Sequence, residues 1–265
     1  MQKLGKNQGA YHGETIELLT LLGQLTAAAQ ARAWSIESFF QVGDLNWYAL
    51  QRNIPPTACS EAFRRIYISA GIHGDEPAGP LAALRLIEAD QWPGNSQVFL
   101  LPCLNPIGFL GNRRENAEGK DLNRDYRHLH AAEVRAHISW LERQPKFDLY
   151  FCLHEDWESP GFYLYEQNPD RQTALGRGMI DAVREVCPID CSETIEGRRA
   201  ELGVIHPAQE PGERADWPEA FYMITHKARL GYTLEAPSDF PLATRVNALV
   251  RAVHAALGVP AGTTG

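Results

Sequence analysis

The amino-acid sequence predicts a single α/β domain over residues 1–265, an α/β/α sandwich built on a twisted, mixed and mostly parallel sheet. The chain has 265 residues with 44% hydrophobic content, which is enough for one large core. Apolar runs typical of buried strands alternate with segments that carry apolar residues at helical spacing. Strands separated by helices are expected to form a sheet with helices on both faces.

The elements of the first half lie close together in the sequence. Apolar positions 16, 19, 22 and 25 recur at helical spacing and predict an amphipathic helix over residues 14–33. A buried strand is expected at 66–70, a helix at 80–89, and a strand at 98–104 that the turn signal Asn105-Pro106 closes.

The second half continues the alternation. It predicts helices at 131–143, 173–186 and 242–257, and strands at 147–153, 161–166 and 230–235. Residues 190–218 are rich in Gly, Pro and charge, with little apolar periodicity. We expect a long surface excursion near the site there, because the remaining residues, 219–265, are too few for a separate domain.

The composition excludes several function classes. A net charge of −8 and a pI near 5.6 argue against a general nucleic-acid or anionic-membrane binder. The start lacks an apolar signal segment and no stretch is long enough to span a bilayer, so a cytoplasmic protein is expected. Of the five cysteines, Cys103 and Cys152 are expected to be core thiols, whereas Cys187 and Cys191 form either a chance pair or a disulfide.

A His-x-x-Glu pair, His73 and Glu76, follows the strand at 66–70 and lies on a turn with Gly71 and Gly74. Open α/β sheets build their sites at the carboxyl ends of strands. An imidazole and a carboxylate three residues apart can bind one metal ion, and a second histidine would complete the His₂Glu set of a catalytic zinc. His154 is the candidate, since it ends the strand at 147–153 and would reach the same sheet edge.

A charged loop, residues 112–126, lies between these candidate ligands. It includes Arg114 and the dipeptide Asn123-Arg124. Arginine binds carboxylates through two parallel hydrogen bonds, and a neighbouring Asn amide adds a neutral donor. The alternative is a solvated charged loop, but its position between the ligands favours a role in binding.

These motifs together resemble those of the zinc carboxypeptidases, and particularly of their compact bacterial branch that includes murein peptide amidase. The resemblance runs from about Arg64 to Phe240 and rests on four elements in the family's order. They are the His73–Glu76 turn, the segment Arg114 to Arg124, His154 after a strand, and a late strand that ends in Glu235.

The resemblance implies roles for these residues. His73, Glu76 and His154 would hold one zinc ion per chain, with a water in the fourth position, and Glu235 would be the general base. Arg114 would polarise the scissile carbonyl and stabilise the oxyanion. Asn123 and Arg124 would bind the substrate's terminal carboxylate.

The chain also departs from the digestive members of that family. Tyr222 is the nearest equivalent of their mobile substrate-covering tyrosine, but its spacing does not match, and an ordinary half-buried aromatic is the alternative. Asp125 replaces the family's usual Asn after Asn-Arg, and an acidic cluster follows His154: Glu155, Asp156 and Glu158. We expect one of these acids to meet a cationic group of the substrate, with a solvated surface as the alternative.

Three functions are compatible with the sequence. The first is a zinc metallocarboxypeptidase or amidase that acts on a small peptide, such as a murein-type fragment, next to a residue with a free carboxylate. The second is an N-acyl amino acid deacylase of the succinylglutamate desuccinylase/aspartoacylase type. Those enzymes usually add a domain after the catalytic glutamate, and only about thirty residues follow Glu235 here, which favours the peptidase. The third, a non-catalytic binding module, is disfavoured because the full set of catalytic residues is retained.

Overall fold

The structure is a computed structural model that describes residues 15–53, 63–207 and 213–259. Within these ranges the chain forms seven α-helices and ten strands. The helices are α1 (Leu18–Ala31), α2 (Ala78–Ala89), α3 (Pro106–Leu110), α4 (Ala132–Arg143), α5 (Gly176–Val183), α6 (Glu219–Tyr222) and α7 (Leu242–Ala256). The strands are β1 (Ser35–Val42), β2 (Leu45–Arg52), β3 (Arg64–Ala70), β4 (Ser96–Leu101), β5 (Leu149–Asp156), β6 (Tyr163–Gln167), β7 (Thr194–Ile195), β8 (Arg198–Glu201), β9 (Val204–Ile205) and β10 (Gly231–Pro237).

All ten strands form one mixed sheet in the order β1-β2-β4-β3-β5-β10-β6-β9-β8-β7. The four central strands, β4, β3, β5 and β10, are parallel to one another. Antiparallel strands flank this centre on both sides, and β9 returns to run parallel to β6. The predicted mixed sheet is confirmed, and its parallel character is concentrated where the candidate site residues lie.

Helices cover both faces of the sheet, as the alternation of elements predicts. One core packs α1, α2, α5 and α7 against the sheet, and the other packs α4 and α6 against the opposite face. Strand β3 shows the alternation that separates them, because Ile66 and Ile68 enter the first core while Tyr67 enters the second.

Most predicted elements are present with shifted ends. The helix expected over 173–186 is confined to α5, and Glu14, the expected start of the first helix, lies outside the described residues. The hairpin β1–β2 was not predicted, because its residues show no clean alternation of burial. The excursion at 190–218 contains three short strands, β7 to β9, that extend the sheet over the site.

Two glycines shape the turn that carries His73. Gly71 has φ +62°, a conformation that L side chains rarely adopt, and lies against Phe109 and Cys103. At Gly74 an added Cβ would lie 2.1 Å from the carbonyl carbon of Gly108. The turn therefore packs directly on the backbone of α3, and only glycine permits that approach.

The cysteines behave largely as expected. Cys103 and Cys152 are buried thiols. Cys187 is buried and Cys191 exposed, and both are free thiols, so the pair is not a disulfide. Cys59 lies outside the described residues. In the described part of the chain, no helix has the length and apolar character needed to cross a bilayer.

Gly74→Ala is expected to lower the free energy of unfolding by at least about 2 kcal/mol, because the new methyl group overlaps the backbone of α3. Gly178→Ala is the matched control, since Gly178 is exposed on α5 with open space around it and should gain about 0.5–1 kcal/mol. Urea denaturation of both variants measures the difference. Equal stability of the two would contradict the packing argument.

Candidate metal centre and active site

The candidate residues meet at the carboxyl ends of the three adjacent parallel strands β3, β5 and β10. Ala70 at the end of β3 pairs with Leu153, directly before His154 on β5. Glu235 on β10 pairs with His154 itself. The turn after β3 carries His73 and Glu76, so the strand register brings all four side chains to one place.

His73, Glu76 and His154 form a compact buried cluster. Glu76 Oε1 lies 2.5 Å from His73 Nδ1, and Glu76 Oε2 lies 3.0 Å from His154 Nδ1. One potential ligand atom from each residue lies within 4.8 Å of the others. The carboxylate therefore bridges the two imidazoles.

The electrostatics keep this cluster ready to bind a cation. Burial opposes the charge of Glu76, but His73 and His154 hold the pKa of that carboxyl well below its usual range. Burial by itself would lower the pKa of His73, whereas the carboxylates of Glu76 and Asp121 raise it above its ordinary value. Glu76 therefore remains an anion at neutral pH.

The donor set fits a catalytic zinc ion. Two imidazole nitrogens and one carboxylate are the ligands of several zinc hydrolases, with the fourth position left for water or substrate. Metal-bound histidines usually donate their second ring N–H to a carboxylate. Here Asp121 Oδ1 lies 3.3 Å from His73 Nε2 and supplies that outer group.

Asp121 is a functional residue that the sequence reasoning missed. Its second oxygen, Oδ2, accepts a hydrogen bond of 2.9 Å from Arg114 Nε. Burial opposes its charge, but His73, Arg114 and Arg124 hold the pKa of Asp121 well below its usual range. The available signal was its position two residues before Asn123 on the loop between the metal ligands.

Arg114 lies beside the metal ligands, as predicted. Its Nη1 is 3.2 Å from His73 Nδ1 and 3.7 Å from Glu76 Oε1. The guanidinium is partly exposed to the cavity while Asp121 fixes its Nε. A permanent cation thus borders the place where a polarised carbonyl oxygen would lie.

Asn123 and Arg124 also line the cavity and belong to a short 3₁₀ turn, Leu122–Arg124. The Asp121 side chain caps that turn by accepting a hydrogen bond from the backbone N–H of Asn123. Asn123 Oδ1 accepts a hydrogen bond of 2.9 Å from the backbone N–H of Glu219. The amide NH₂ of Asn123 is therefore left as a donor.

Glu235 is half-buried in the cavity wall on β10. Burial raises the pKa of Glu235 to about 8, and the carboxylates of Glu76 and Asp156 add to this effect against the opposing charge of His154. A bound divalent cation would lower this pKa again. A carboxylate that readily gains and loses a proton is suited to general acid–base chemistry.

Two predicted site residues lie away from the cavity. Asp125 accepts hydrogen bonds from the backbone N–H groups of His130 and Ala131 and so anchors the start of α4. Tyr222 packs in the second core with its ring 4.8 Å from that of His226. Arg124 lines the cavity, but the side chain of the next residue, Asp125, does not, and neither does that of Tyr222. The predicted contact of Asp125 and Tyr222 with the substrate is therefore not supported.

The acidic cluster after His154 divides between two faces of β5. Alternation turns Glu155 away from His154, where it forms a buried ion pair with Arg245 and accepts a hydrogen bond from Ala78 N. Asp156 and Glu158 remain on the cavity wall. Asp156 Oδ2 accepts a hydrogen bond of 3.0 Å from the Tyr163 hydroxyl.

The cavity has a volume of about 390 Å³, which suits a small ligand. Its outer wall comes from elements whose roles the sequence did not reveal: Tyr163, Tyr165, Glu196, Arg198, Arg214 and Phe221. Four of them lie on β6 and the β7–β8 hairpin, and Arg214 lies over the ring of Phe221 at 5.2 Å. Their contribution depends on tertiary folding, since their local sequence has no recognisable motif.

Several solved structures share this fold. A Shewanella amazonensis protein assigned to the metallopeptidases has 24% identity and a TM-score of 0.75, with 91% of this chain and 92% of that chain covered. A metallo-carboxypeptidase from Burkholderia cenocepacia has 18% identity and a TM-score of 0.65, covering 89% of this chain and 68% of that one. A metallo-carboxypeptidase from Pseudomonas aeruginosa has 21% identity and a TM-score of 0.62, with the same coverage. The fold is that of the metallocarboxypeptidases.

Comparison of sequences gives the finer relationship. Residues 62–184 match the succinylglutamate desuccinylase/aspartoacylase catalytic domain. Carboxypeptidase SOL1 of Arabidopsis thaliana is 33% identical over 104 residues, which are 31% of this chain and 21% of that protein's length. The fold of these structures and the match over residues 62–184 agree with the resemblance to zinc carboxypeptidases that the motifs predict.

His154→Ala is expected to abolish stoichiometric zinc binding, because only two of the three buried ligands remain. The measurement is metal content after incubation with zinc and dialysis. His128→Ala, which removes a partly exposed histidine far from the triad in sequence, should keep about one zinc ion per chain. Full occupancy in His154→Ala would show that the site is wrongly assigned.

Proposed function

We propose that this protein is a zinc-dependent carboxypeptidase or amidase that hydrolyses the amide bond to a residue with a free carboxylate, in a small peptide such as a murein-type fragment. The observation that supports this most strongly is the convergence on one cavity of the His₂Glu cluster, the half-buried carboxylate of Glu235, and Arg114 and Arg124. The cluster of His73, Glu76 and His154 would hold one zinc ion per chain.

A zinc ion in such a site polarises a carbonyl group and lowers the pKa of bound water. Glu235 would take the proton of the attacking water and deliver it to the leaving amine. The burial of Glu235 beside Glu76 and Asp156 favours its protonated form, which would carry the proton from the first step to the second.

The cavity also offers hydrogen-bond donors for both the scissile carbonyl and the terminal carboxylate of the substrate. Arg114 would donate hydrogen bonds to the developing oxyanion, a task for which preorganised cations are effective in a partly buried site. Asn123 and Arg124 would bind the terminal carboxylate, the first through its free NH₂ group and the second through its guanidinium.

A second candidate, deacylation of N-acyl amino acids, is favoured by one specific observation. Residues 62–184 match the succinylglutamate desuccinylase/aspartoacylase catalytic domain, whose substrates also present an amide and a carboxylate. The larger structural likeness to metallopeptidases supports the peptidase instead, since 91% of this chain is covered. A non-catalytic binding module is disfavoured, because the cavity retains both Glu235 and Arg114.

One panel assay separates these functions. Short peptides with free C-terminal carboxylates and N-acyl amino acids are incubated with the zinc-loaded enzyme, and the released amines are quantified. Turnover confined to peptides supports the proposal, turnover confined to N-acyl amino acids supports the deacylase, and absence of turnover on both supports the binding module.

Glu235→Gln is expected to keep its zinc but to lower kcat by about three orders of magnitude or more, since an amide cannot accept the proton of water. Metal content and kcat are measured on the same preparation. Glu201→Gln, at an exposed position on β8, is the control and should keep wild-type kcat. Substantial activity in Glu235→Gln would identify another group as the base.

The acids on the cavity wall suggest a cationic group on the substrate. Asp125 lies outside the cavity, whereas Asp156 and Glu158 line it, and Glu155 on the same wall is already paired with Arg245. Asp156 and Glu158 are therefore the acids that would meet this group. A peptide whose terminal residue also bears a free amine, as in diaminopimelate, should therefore lose about tenfold in kcat/KM when that amine is acetylated.

Asp156→Asn should narrow this difference between free and capped amines, whereas Asp125→Asn should leave it unchanged and lower stability by about 1 kcal/mol through the weakened cap. Steady-state kinetics on the substrate pair measure the first effect and thermal denaturation the second. Equal kcat/KM for the two substrates in the wild-type enzyme would refute the cationic substrate.

A further inference from the structure

Glu219 is a buried acid at the start of α6, directly behind the cavity floor. Its side chain is 1% exposed, while its neighbours Pro218 and Ala220 line the cavity. Burying a carboxyl group costs several kcal/mol unless hydrogen bonds compensate. A buried glutamate at this position is therefore expected to have a role that an apolar side chain could not fulfil.

The Glu219 carboxylate is held by two hydroxyl groups of β3. Oε1 accepts a hydrogen bond of 2.7 Å from the Tyr67 hydroxyl, and Oε2 accepts one of 2.9 Å from Ser69 Oγ. Burial raises the pKa of Glu219 above its usual value, and the hydroxyl donors of Tyr67 and Ser69 oppose that rise only in part.

Behind Tyr67 the hydrogen bonds continue through a buried histidine. Tyr67 Oη lies 2.9 Å from His137 Nε2, and Tyr126 Oη lies 2.6 Å from His137 Nδ1. Burial lowers the pKa of His137 to about 3, so its ring is neutral and carries one proton. With that proton on Nε2, every donor in the chain points towards the Glu219 carboxylate.

The same residue fixes the orientation of Asn123. The backbone N–H of Glu219 donates a hydrogen bond of 2.9 Å to Asn123 Oδ1. An amide that must present its oxygen to this N–H turns its NH₂ group the other way. Asn123 therefore offers donors, and not an acceptor, to a ligand.

The helix α6 cannot fix the position of the Glu219 backbone N–H without contacts to other elements. It has only four residues, Glu219–Tyr222, and such a short helix depends on tertiary contacts for its position. The Glu219 carboxylate provides two of these contacts, and the hydrogen bond from Tyr150 Oη to Ala220 O provides another.

We propose that Glu219 is a positioning residue for substrate recognition. Its carboxylate ties the first turn of α6 to Tyr67 and Ser69, and its backbone N–H thereby sets Asn123 as a donor to the substrate's carboxylate. This inference rests on the proposed function, in which Asn123 binds that carboxylate. Glu219 itself touches neither substrate nor metal ligands.

The test compares one peptide in two forms, with a C-terminal carboxylate and with a carboxamide. Glu219→Gln keeps the shape of the side chain but replaces one of the two accepting oxygens by an NH₂ group, so it can no longer accept both hydroxyl groups. For the acid peptide KM should rise by about tenfold, the value of one hydrogen bond to a charged group, with kcat and zinc content little changed. The carboxamide peptide lacks the negative charge to which Asn123 would donate, so its KM should change by less than about threefold.

Glu166→Gln is the matched control. Glu166 is a buried glutamate that also accepts a hydrogen bond from a tyrosine, at 2.9 Å from Tyr232 Oη, but it lies on the opposite face of β6 from the cavity residues Tyr165 and Gln167. Thermal denaturation measures how much stability each variant loses. Only Glu219→Gln should change the ratio between kcat/KM for the acid peptide and kcat/KM for the carboxamide peptide.

A double-mutant cycle with Asn123→Ala decides whether Glu219 acts through Asn123. Once Asn123 is removed, Glu219→Gln should have no further effect on KM for the acid peptide. Additive effects would overturn the inference while leaving the proposed function intact. Calorimetric binding of the acid and amide peptides in a Glu235→Gln background gives the same comparison without turnover. If the otherwise unmodified enzyme does not distinguish acid from amide, both the carboxylate clamp and this inference fail.

Discussion

The parallel pairing of β3, β5 and β10 is the constraint on which the site depends. Adjacent parallel strands end at the same edge of the sheet, and their register decides which side chains meet there. The pairing of Glu235 with His154 brings the proposed base to the metal ligands. A slip of β10 by one residue against β5 would turn Glu235 to the other face of the sheet, so the register of this pair also fixes the chemistry.

The sequence predicted the centre of this arrangement better than its rim. His73, Glu76, His154 and Glu235 stand at the ends of strongly apolar strands, and these strands follow from local pattern. Asp125 and Tyr222 were chosen because they lie near the motif residues in the sequence. Asp125 instead accepts hydrogen bonds at the start of α4, and Tyr222 packs in the second core, contacts that no local pattern reveals.

The cavity wall was harder to predict for a different reason. Arg198 and Glu196 reach it only because the β7–β8 hairpin extends the sheet beyond β6 and β9. The hairpin turns at Glu196 and Gly197, and its strands have only two and four residues, too few for a periodicity signal. The outer wall of the cavity thus depends on tertiary contacts, whereas the candidate metal ligands follow from short motifs.

Asp121 connects the candidate metal ligand His73 with Arg114. One oxygen lies beside His73 Nε2 and the other accepts from Arg114 Nε. A ligand that draws Arg114 towards itself therefore also changes the electron density available to the metal-binding imidazole. By thermodynamic linkage, the affinity for the ion and the affinity for an anionic ligand must rise or fall together, each by the same factor. A single carboxylate thus couples the proposed metal site to the proposed oxyanion site.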